Sequence, residues 1–294
     1  MTIREALAEG RLALVTAGKE TVDLDSSLLL AKVLNTVRSR ILAAGPETIS
    51  EDDLASFRDL IKRRLTGECT ACIIGRKEFR GLDFLVDHSV LVPRPDTETL
   101  VEAALETGAK ANKFAADTNA IRILDLCTGS GAIAISLKSE MPELEVWATD
   151  ISAEALEIAK INAKRLLPPE SITFFQGNIF KALPCPPPIH FNLIISNPPY
   201  IPNDEIKNLS PEVQKEPRIA INGGADGLDI IRTIITEAPD YLTSGGKLML
   251  EADPGQMEKI TGLLEKRGFT DIKIYMDLSG SKRVISGIFL AVLL

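Results

Sequence analysis

The sequence predicts an α/β protein in which a mainly parallel, Rossmann-like sheet follows a smaller helical region. Two observations support this fold class. Residues 1–75 carry apolar side chains at helical spacing, and from residue 121 onward short apolar runs alternate with stretches of helical pattern. Such alternation is typical of a sheet covered by helices on both faces. A chain of 294 residues can form one large or two ordinary domains.

The first 75 residues are expected to form a helical domain. A nearly continuous apolar run at residues 28–34 indicates one buried helix, and Gly45-Pro46 separates it from the next. Ser50, with Asp53 three residues later, has the spacing of a capping box that begins the second helix. The apolar stripe of that helix consists of Leu54, Phe57, Ile61 and Leu65.

Residues 76–93 are expected to form a β-hairpin linker between two domains. Phe79, Leu82, Phe84 and Val86 alternate with polar residues, and the apolar run Val90–Val92 is assigned to the same hairpin. Pro93 ends it, and a new helix is expected to begin at residues 96–98. Residues 108–120 have the composition of a surface connection.

Residues 94–294 are expected to hold the sheet. The strands are predicted at Arg122–Leu126, Leu144–Thr149, Ile172–Gln176, Leu193–Ser196 and Lys247–Glu251, with two more near Asp271–Tyr275 and Arg283–Leu293. The proline-rich run at residues 184–188 is incompatible with a helix or a central strand and predicts a rigid surface loop.

Composition and charge limit the classes of partner. The net charge of -8 argues against nucleic acid as a direct partner, and the first 86 residues have balanced charges rather than a basic arm. The pair Cys69 and Cys72 has the spacing of a redox motif or half a zinc site, but no second pair accompanies it. We therefore expect reduced cysteines in a cytoplasmic protein, with no metal. No signal peptide or membrane-spanning segment is predicted.

The run "ILDLCTGSGAIAISL" places a glycine-rich turn between a strand and a helix. Gly129 and Gly131 permit a tight turn that approaches a ligand closely, and Asp150 ends the next strand, where it could accept hydrogen bonds from ribose hydroxyls. The motif fits a dinucleotide as well as S-adenosylmethionine. Asp125 favours S-adenosylmethionine, because a carboxylate beside the turn suits an ammonium group and opposes a pyrophosphate.

The run "NLIISNPPYIPNDE" ends the fourth predicted strand of the sheet with an amide, two prolines and an aromatic ring. Ligands of open α/β sheets bind beyond the carboxyl ends of the strands, so Asn197 is expected beside the glycine turn. The Asn197 side chain and the Pro198 carbonyl can accept hydrogen bonds from a substrate –NH2 group, while Tyr200 stacks on its plane. These hydrogen bonds would orient the nitrogen toward an electrophilic methyl group.

At these residues the chain resembles the N5-glutamine methyltransferases that modify peptide chain release factors. The resemblance covers nearly the whole length and includes "LVPRPDTETLVE" at 91–102, "DLCTGSGAIA" at 125–134, "SNPPYIP" at 196–202, "EPRIAINGGADGLD" at 216–229, "GGKLMLEADPGQ" at 245–256 and "DLSGSKRVISG" at 277–287. It implies a helical substrate-recognition domain, a hairpin linker and a seven-stranded S-adenosylmethionine-dependent methyltransferase domain. The implied substrate is the glutamine of the Gly-Gly-Gln motif of a release factor.

The resemblance also implies the site residues. The cofactor would contact Asp125, Cys127, Thr128, Gly129, Ser130, Gly131, Asp150, Asn178, Ile179 and Asn197. The substrate amide would be held by Asn197, Pro198, Pro199 and Tyr200, of which Asn197, Pro198 and Tyr200 are the implied catalytic residues. Residues 94–98 would line the cleft.

Several positions depart from the family pattern. Cys127 stands where glycine is usual, Asn178 where aspartate is common, and Cys69 and Cys72 where proline and tyrosine are usual. An amide oxygen can still accept from an adenine amino group, so Asn178 is expected to weaken cofactor binding without abolishing it.

Other functions remain open at this point. An adenine N6-methyltransferase would use the same Asn-Pro-Pro-Tyr chemistry on a flipped base, and a ribosomal protein could supply the glutamine. A nicotinamide-dependent oxidoreductase would explain the glycine turn but gives Asn197 no task. A binding module without catalysis is the last alternative.

Overall fold

The computed structural model describes residues 1–44, 46–114, 121–184 and 190–291, with side chains at 108–114 left aside. It divides into two compact units. The first consists of Met1–Arg76 with Leu209–Lys215, and the second of Lys77–Asn208 with Glu216–Leu294. The domain boundaries drawn at residues 75 and 93 stay predictions. Within the described ranges, every helix is too short or too polar to cross a bilayer.

In the described ranges, five helices of the first unit precede residue 76. They are Ile3–Thr16 (α1), Val22–Val33 (α2), Arg38–Ala43 (α3), Glu51–Leu65 (α4) and Thr70–Ile74 (α5). Their apolar faces enclose a core that includes Leu14, Leu29, Leu30 and Phe57. Ser50 is confirmed as the N-cap, because its Oγ accepts a hydrogen bond from the Asp53 amide at 3.1 Å and α4 begins at Glu51. The reciprocal half of the predicted capping box is not formed among the described residues, since the Asp53 carboxylate accepts from Ser50 Oγ at 2.6 Å instead.

A buried ion cluster joins the segment Leu209–Lys215 to this helical unit. Arg64 on α4 is only 2% exposed, and its Nε lies 2.8 Å from Asp25 Oδ2. Its Nη1 lies 2.6 Å from Glu212 Oε1, on the short helix Pro211–Gln214. A buried guanidinium is tolerated only when it is paired, so this contact ties a late segment of the chain to the first helices.

The second unit begins with a two-stranded hairpin formed by Arg76–Phe79 (β1) and Leu82–Leu85 (β2). The predicted hairpin is confirmed here, but its extension through Val90–Val92 is wrong. Val90 lies in a bend and Leu91 and Val92 in irregular chain, and the Val92 amide donates to Glu216 Oε1 at 3.4 Å. Val90 and Val92 are buried although they belong to no strand, and this burial explains why apolar residues occupy these positions.

The central sheet has seven strands. They are Arg122–Leu126 (β3), Glu145–Asp150 (β4), Ile172–Gln176 (β5), Phe191–Ser196 (β6), Leu242–Glu251 (β7), Phe269–Met276 (β8) and Lys282–Phe289 (β9). The order is β5-β4-β3-β6-β7-β9-β8, parallel through β7 and antiparallel at β9 and β8. The predicted fold class is confirmed. The strand order reverses between β3 and β6, where ligands of such sheets bind.

Helices cover both faces of the sheet. In the second unit they are Glu98–Phe114 (α6), Ala132–Glu140 (α7), Ala153–Leu166 (α8), Arg218–Ile221 (α10), Asp229–Glu237 (α11) and Met257–Arg267 (α12), with Pro211–Gln214 (α9) in the first unit. Successive residues of β3 enter different cores: Ile123 packs with Ile133 of α7, and Leu124 packs with Ile231 of α11. This alternation explains why the strands read as continuous apolar runs.

Two connections in the second unit were predicted as surface loops. The first prediction is wrong for residues 108–114, because α6 continues to Phe114. Alanine and lysine favour helix, and one interior glycine costs only about 1 kcal/mol. Residues 115–120 lie outside the described ranges, as do residues 185–189, which include most of the predicted proline-rich loop.

Candidate active site

A cleft opens beyond the carboxyl ends of β3, β4, β5 and β6. Its wall includes seven of the predicted site residues, namely Cys127, Gly129, Asp150, Asn178, Ile179, Asn197 and Pro199. The remaining predicted residues, Asp125, Thr128, Ser130, Gly131, Pro198 and Tyr200, belong to β3 and to the same two loops. The fold therefore gathers the glycine turn and the Asn-Pro-Pro-Tyr segment at one edge, because β3 and β6 are neighbours in the sheet.

The glycine turn is held by backbone and side-chain hydrogen bonds. The Thr128 amide donates to the Thr149 carbonyl at 2.9 Å, and Asn162 Nδ2 donates to the Ser130 carbonyl at 3.0 Å. Gly131 has a φ of +83°, and a Cβ there would lie 2.9 Å from Ile135 Cδ1. A Cβ on Gly129 would meet no heavy atom within 4 Å. Because Gly129 lines the cleft, a side chain there would occupy the cleft itself, and glycine leaves this space open.

Cys127 begins the turn with a φ of +58°, in the left-handed region that favours glycine. The family resemblance expects glycine here, and this backbone conformation is the physical reason. Burial is the main cause that raises the pKa of the Cys127 thiol to about 12, and the nearby Asp150 carboxylate adds to it. The sulfur is therefore neutral at physiological pH and presents no nucleophile to the cleft.

Asp125 is fully buried in β3, and one of its two carboxyl oxygens has a partner. Thr128 Oγ1 donates to Asp125 Oδ2 at 2.6 Å, whereas Oδ1 has no hydrogen-bond partner among the described residues. Burial raises the pKa of Asp125 to about 7, against the hydrogen bonds from Thr128 and Ala134 that lower it. A buried acid with a partnerless oxygen suits a cationic ligand group, which would stabilise the ionised form.

Asp150 connects the end of β4 to the glycine turn that follows β3. Its Oδ2 accepts from the Gly129 amide at 2.8 Å, and its Oδ1 accepts from the Ser152 amide at 2.9 Å. Burial raises the pKa of Asp150, while these backbone hydrogen bonds lower it. Each carboxylate oxygen can accept a second hydrogen bond, so the predicted contact to ribose hydroxyls is compatible with this arrangement.

Asn178 and Ile179 follow β5 and form the adjoining wall. The Gly177 amide donates to the Asp150 carbonyl at 2.9 Å, which aligns this segment with the end of β4. Ile179 has a φ of +52°, a strained conformation for a β-branched residue. Strain of this kind is commonly found at ligand sites, and here it accompanies an apolar side chain at the cleft wall.

The Asn197 amide is anchored at its nitrogen end. Nδ2 donates to Thr97 Oγ1 at 3.2 Å, in the 3-10 turn Pro95–Thr97 before α6. Ser196 Oγ donates to the Leu126 carbonyl at 2.7 Å and so joins the ends of β6 and β3. The amide oxygen of Asn197 is thus the end left to accept from a ligand.

The backbone of Tyr200 is held between Gln256 and the segment that contains residues 216–229. Gln256 Nε2 donates to the Tyr200 carbonyl at 2.8 Å, and a Cβ on Gly227 would lie 2.2 Å from the same carbonyl oxygen. Glycine at 227 is therefore required for this close approach. The Tyr200 ring packs partly against the core formed around Leu124, and burial raises the pKa of its hydroxyl. Its stacking role stays a prediction.

Residues 94–98 divide between two tasks. Arg94 Nη2 lies 2.8 and 2.7 Å from the two carboxyl oxygens of Glu216, so its charge is spent on an ion pair within the unit. Thr97 instead contacts Asn197.

The cysteine pair has a structural place at the start of α5. Cys69 is the N-cap of this helix, and its Sγ accepts a hydrogen bond from the Cys72 amide at 3.1 Å. In the described part of the chain, no cluster of three or more acidic, histidine or cysteine side chains is arranged for a metal.

Glu251 was assigned no role from the sequence, and Thr97 was expected only to line the cleft as part of residues 94–98. Both lie against Asn197. Glu251 belongs to "GGKLMLEADPGQ", and the available signal was an acid at the end of an apolar strand. Which residues lie beside Glu251 depends on the pairing of β6 with β7, and the spacing of residues along the sequence does not give that pairing.

Comparisons with known proteins place both units among methyltransferases. Family models match at residues 5–75, described as the PrmC N-terminal domain, and at residues 105–213, described as the methyltransferase small domain. The release factor glutamine methyltransferase of Geobacter sulfurreducens is 38% identical over 97% of this chain and 96% of its own length. That of Coxiella burnetii is 39% identical over 97% of this chain and 98% of its own length.

Solved structures agree on the fold at low sequence identity. A methyltransferase from Pyrococcus furiosus is 19% identical, with a TM-score of 0.51 over 78% of this chain and 98% of that one. The catalytic domain of hMettl16, solved with an RNA hairpin, is 15% identical, with a TM-score of 0.56 over 79% of this chain and 82% of that one. Identities this low support the fold alone.

Proposed function

The chain belongs to the release factor glutamine methyltransferase family, and from this premise we propose that it methylates the N5 nitrogen of the glutamine in the Gly-Gly-Gln motif of a peptide chain release factor. The methyl donor is S-adenosylmethionine. One observation carries the proposal for this chain's own residues: the open glycine turn with Asp125 and the anchored amide of Asn197 end neighbouring strands of one sheet.

The cofactor half of the cleft fits S-adenosylmethionine better than a dinucleotide. The partnerless Oδ1 of Asp125 lies behind the glycine turn, where a ligand ammonium group would compensate its charge. A pyrophosphate would meet the same carboxylate, together with Asp150, and would be repelled. Asp150 would bind the ribose, and the Asn178–Ile179 segment would flank the adenine.

The substrate half of the cleft holds a carboxamide by hydrogen bonds. Asn197 Oδ1 and the Pro198 carbonyl accept the two hydrogens of the glutamine –NH2 group. Because both acceptors are fixed by rigid neighbours, the nitrogen lone pair is held in one direction. Prolines 198 and 199 restrict φ and donate no hydrogen bond, which keeps the carbonyls of this segment available.

The reaction needs positioning more than a strong base. The cofactor supplies an electrophilic methyl group when it is bound. An amide nitrogen is a weak nucleophile, and orientation in a bound complex can lower a barrier by about 7–11 kcal/mol. Hydrogen bonds to Asn197 Oδ1 and the Pro198 carbonyl strengthen as positive charge develops on the nitrogen, so they favour the transition state over the ground state.

Mass spectrometry of a methylation assay tests the proposal. The purified protein is incubated with S-adenosylmethionine and a recombinant release factor, and the peptide that contains Gly-Gly-Gln is sequenced. We expect one added methyl group on the glutamine side chain. A release factor with asparagine in place of that glutamine is the matched control, and it should stay unmodified.

Competing substrates enter the same assay. Duplex DNA, RNA and ribosomal proteins are each offered with methyl-labelled cofactor. We expect no label on the nucleic acids, because the net charge of -8 disfavours a nucleic acid ligand. We expect none on the ribosomal proteins, because the proposed substrate is the release factor. Label on a nucleic acid base, or on a ribosomal protein but not on the release factor, would contradict the proposed substrate. Thermal protection by NAD but not by S-adenosylhomocysteine would contradict the proposed cofactor.

A further inference from the structure

Glu251 is a buried acid at the substrate side of the cleft that the proposed mechanism does not use. It is the last residue of β7 and is only 1% exposed. In the parallel pairing of β6 with β7, Ser196 lies opposite Leu250. The next residues along the two strands are Asn197 and Glu251, so the sheet register itself places the carboxyl group beside the amide.

Glu251 forms a triangle of neighbouring polar side chains with Thr97 and Asn197. The two lie close enough to the carboxyl group to lower its pKa, and Asn197 Nδ2 donates to Thr97 Oγ1 at 3.2 Å. A threonine hydroxyl has one hydrogen and two lone pairs. It can therefore donate to Glu251 while it accepts from Asn197, and the second hydrogen of Asn197 Nδ2 is left for the Glu251 carboxyl group.

One oxygen of Glu251 remains outside this triangle. Oε2 has no hydrogen-bond partner among the described residues, although the side chain is almost completely enclosed. Burying a carboxyl group with a partnerless oxygen costs stability. A core position at the end of an apolar strand would be cheaper to fill with an apolar residue, so the acid needs a functional explanation.

The amide of asparagine has two ends that differ chemically but hardly in shape. The oxygen accepts hydrogen bonds, and the nitrogen donates two. A substrate –NH2 group can be held by the oxygen only, and a flipped amide would present two hydrogens to the hydrogens of the substrate. Two acceptors placed at the nitrogen end would prevent this flip.

We propose that Glu251 is a positioning residue, which together with Thr97 fixes the amide of Asn197 with Nδ2 toward the protein and Oδ1 toward the substrate carboxamide. The role rests on the proposed function, because it matters only for a substrate that donates hydrogen bonds. Glu251 acts through Asn197 and does not touch the reacting atoms.

The protonation state of Glu251 determines how well it can fix the amide. Burial raises the pKa of Glu251 to about 7, and hydrogen bonds from Thr97 and Asn197 lower it. The charged or titratable groups around it are Arg283 on β9, Asp96 before α6 and Tyr200 after β6. The ionised carboxylate only accepts, whereas the protonated acid also donates and can bind Asn197 Oδ1. The fixed orientation is therefore lost as pH falls through about 7.

Steady-state kinetics of Glu251→Gln test the role. The glutamine side chain keeps the shape but adds a donor, so the Asn197 amide can flip. By analogy with supporting partners of metal ligands, we expect kcat to fall about 10- to 100-fold. KM for the release factor and the affinity for S-adenosylhomocysteine should change much less. The acidic limb of the kcat–pH profile near pH 7 should disappear. Glu145→Gln is the matched control, because Glu145 begins β4, at the end of the strand away from the cleft, where it accepts a hydrogen bond from Arg122.

A second pair of variants covers the case in which Glu251→Gln folds poorly. Thr97→Ser retains the hydroxyl and should retain most of kcat, whereas Thr97→Val removes it and should lower kcat. A purely structural role would instead lower the unfolding temperature and weaken cofactor binding in parallel with kcat. Wild-type-like kcat and an unchanged pH profile in folded Glu251→Gln would overturn the proposal.

An NMR measurement separates this proposal from the proposed substrate. In protein labelled with ¹⁵N-asparagine, the side-chain amide signal of Asn197 is identified by its absence in Asn197→Ala. We expect this signal to shift with pH around 7 in the wild type and to stay constant in Glu251→Gln. A flat titration in the wild type would refute the role of Glu251 even if methyl transfer occurs. A titration without methylation of release factor would refute the substrate alone.

Discussion

Each half of the site is backed by a buried acid, but the surroundings of the two acids differ. Asp125 on the cofactor side and Glu251 on the substrate side both have a pKa raised to about 7 by burial, and both have one partnerless oxygen. Asp125 is bounded by backbone, Thr128 and the like charge of Asp150. Glu251 is bounded by Thr97, Asn197 and Arg283.

This difference indicates what each acid is for. Among the described residues, the charged group that acts on Asp125 is another acid, so Asp125 is suited to receive a positive group from outside the protein. Glu251 already has a neighbouring arginine and contacts a neutral amide, so it is suited to orient a side chain. We thus expect two acids with the same raised pKa to differ in role, Asp125 binding a ligand and Glu251 orienting a side chain.

Replacing Asn197 by alanine should break the substrate half with the largest effect. The variant loses the acceptor for the substrate –NH2 group, and we expect methyl transfer to fall by ~10³-fold or more. Affinity for S-adenosylhomocysteine, measured by titration calorimetry, should remain largely intact. Asn208→Ala removes an exposed amide and is the matched control. Near-native turnover of Asn197→Ala would show that the amide does not grip the substrate.

Replacing Asp150 by alanine should break the cofactor half with a smaller effect of a different kind. Hydrogen bonds to a charged group contribute about 1.5–3 kcal/mol, so we expect the Kd for S-adenosylhomocysteine to rise about 10- to 100-fold. At saturating cofactor, kcat should recover most of its value. Asp150→Asn keeps one of the two acceptor oxygens, so its Kd should lie between those of the wild type and Asp150→Ala. If kcat at saturation fell as far as in Asn197→Ala, the division of tasks between the halves would be wrong.

The smallest expected effect concerns the protonation of Asp125. In the unliganded protein its pKa of about 7 lies above the unfolded value, so its contribution to stability is present at low pH and is lost as pH rises through about 7. A ligand ammonium group lowers this pKa, so binding at pH 7 should release part of a proton. Calorimetry of S-adenosylhomocysteine in two buffers of different ionisation heat measures the release. Its persistence in Asp125→Asn would assign the proton to another group.

The sequence predicts the sheet well because apolar runs and turn residues are local signals. The β3 and β5 boundaries match the predicted ones, and β6 was found within two residues. The pairing of β3 with β6 follows from general rules for open sheets, which is why Asn197 could be expected near the glycine turn.

The errors have physical causes that no local pattern reveals. Val90–Val92 reads like a strand, but a strand requires a neighbour, and Glu216 supplies a side-chain acceptor in its place. The prediction also gave no role to Glu251, whose task depends on a register between β6 and β7. The sequence shows that Glu251 is an acid, whereas only the fold shows that it lies beside the Asn197 amide.

The excursion of the chain through Leu209–Lys215 has a practical consequence for dissecting the enzyme. This stretch follows the Asn-Pro-Pro-Tyr segment, yet it belongs with the first helices, where Glu212 meets the enclosed guanidinium of Arg64. The helical region is thus connected at three points of the covalent chain, not at one. Removal of residues 1–76 would strip the excursion of its partners, and the remaining fragment would differ from the intact protein close to the Asn-Pro-Pro-Tyr segment.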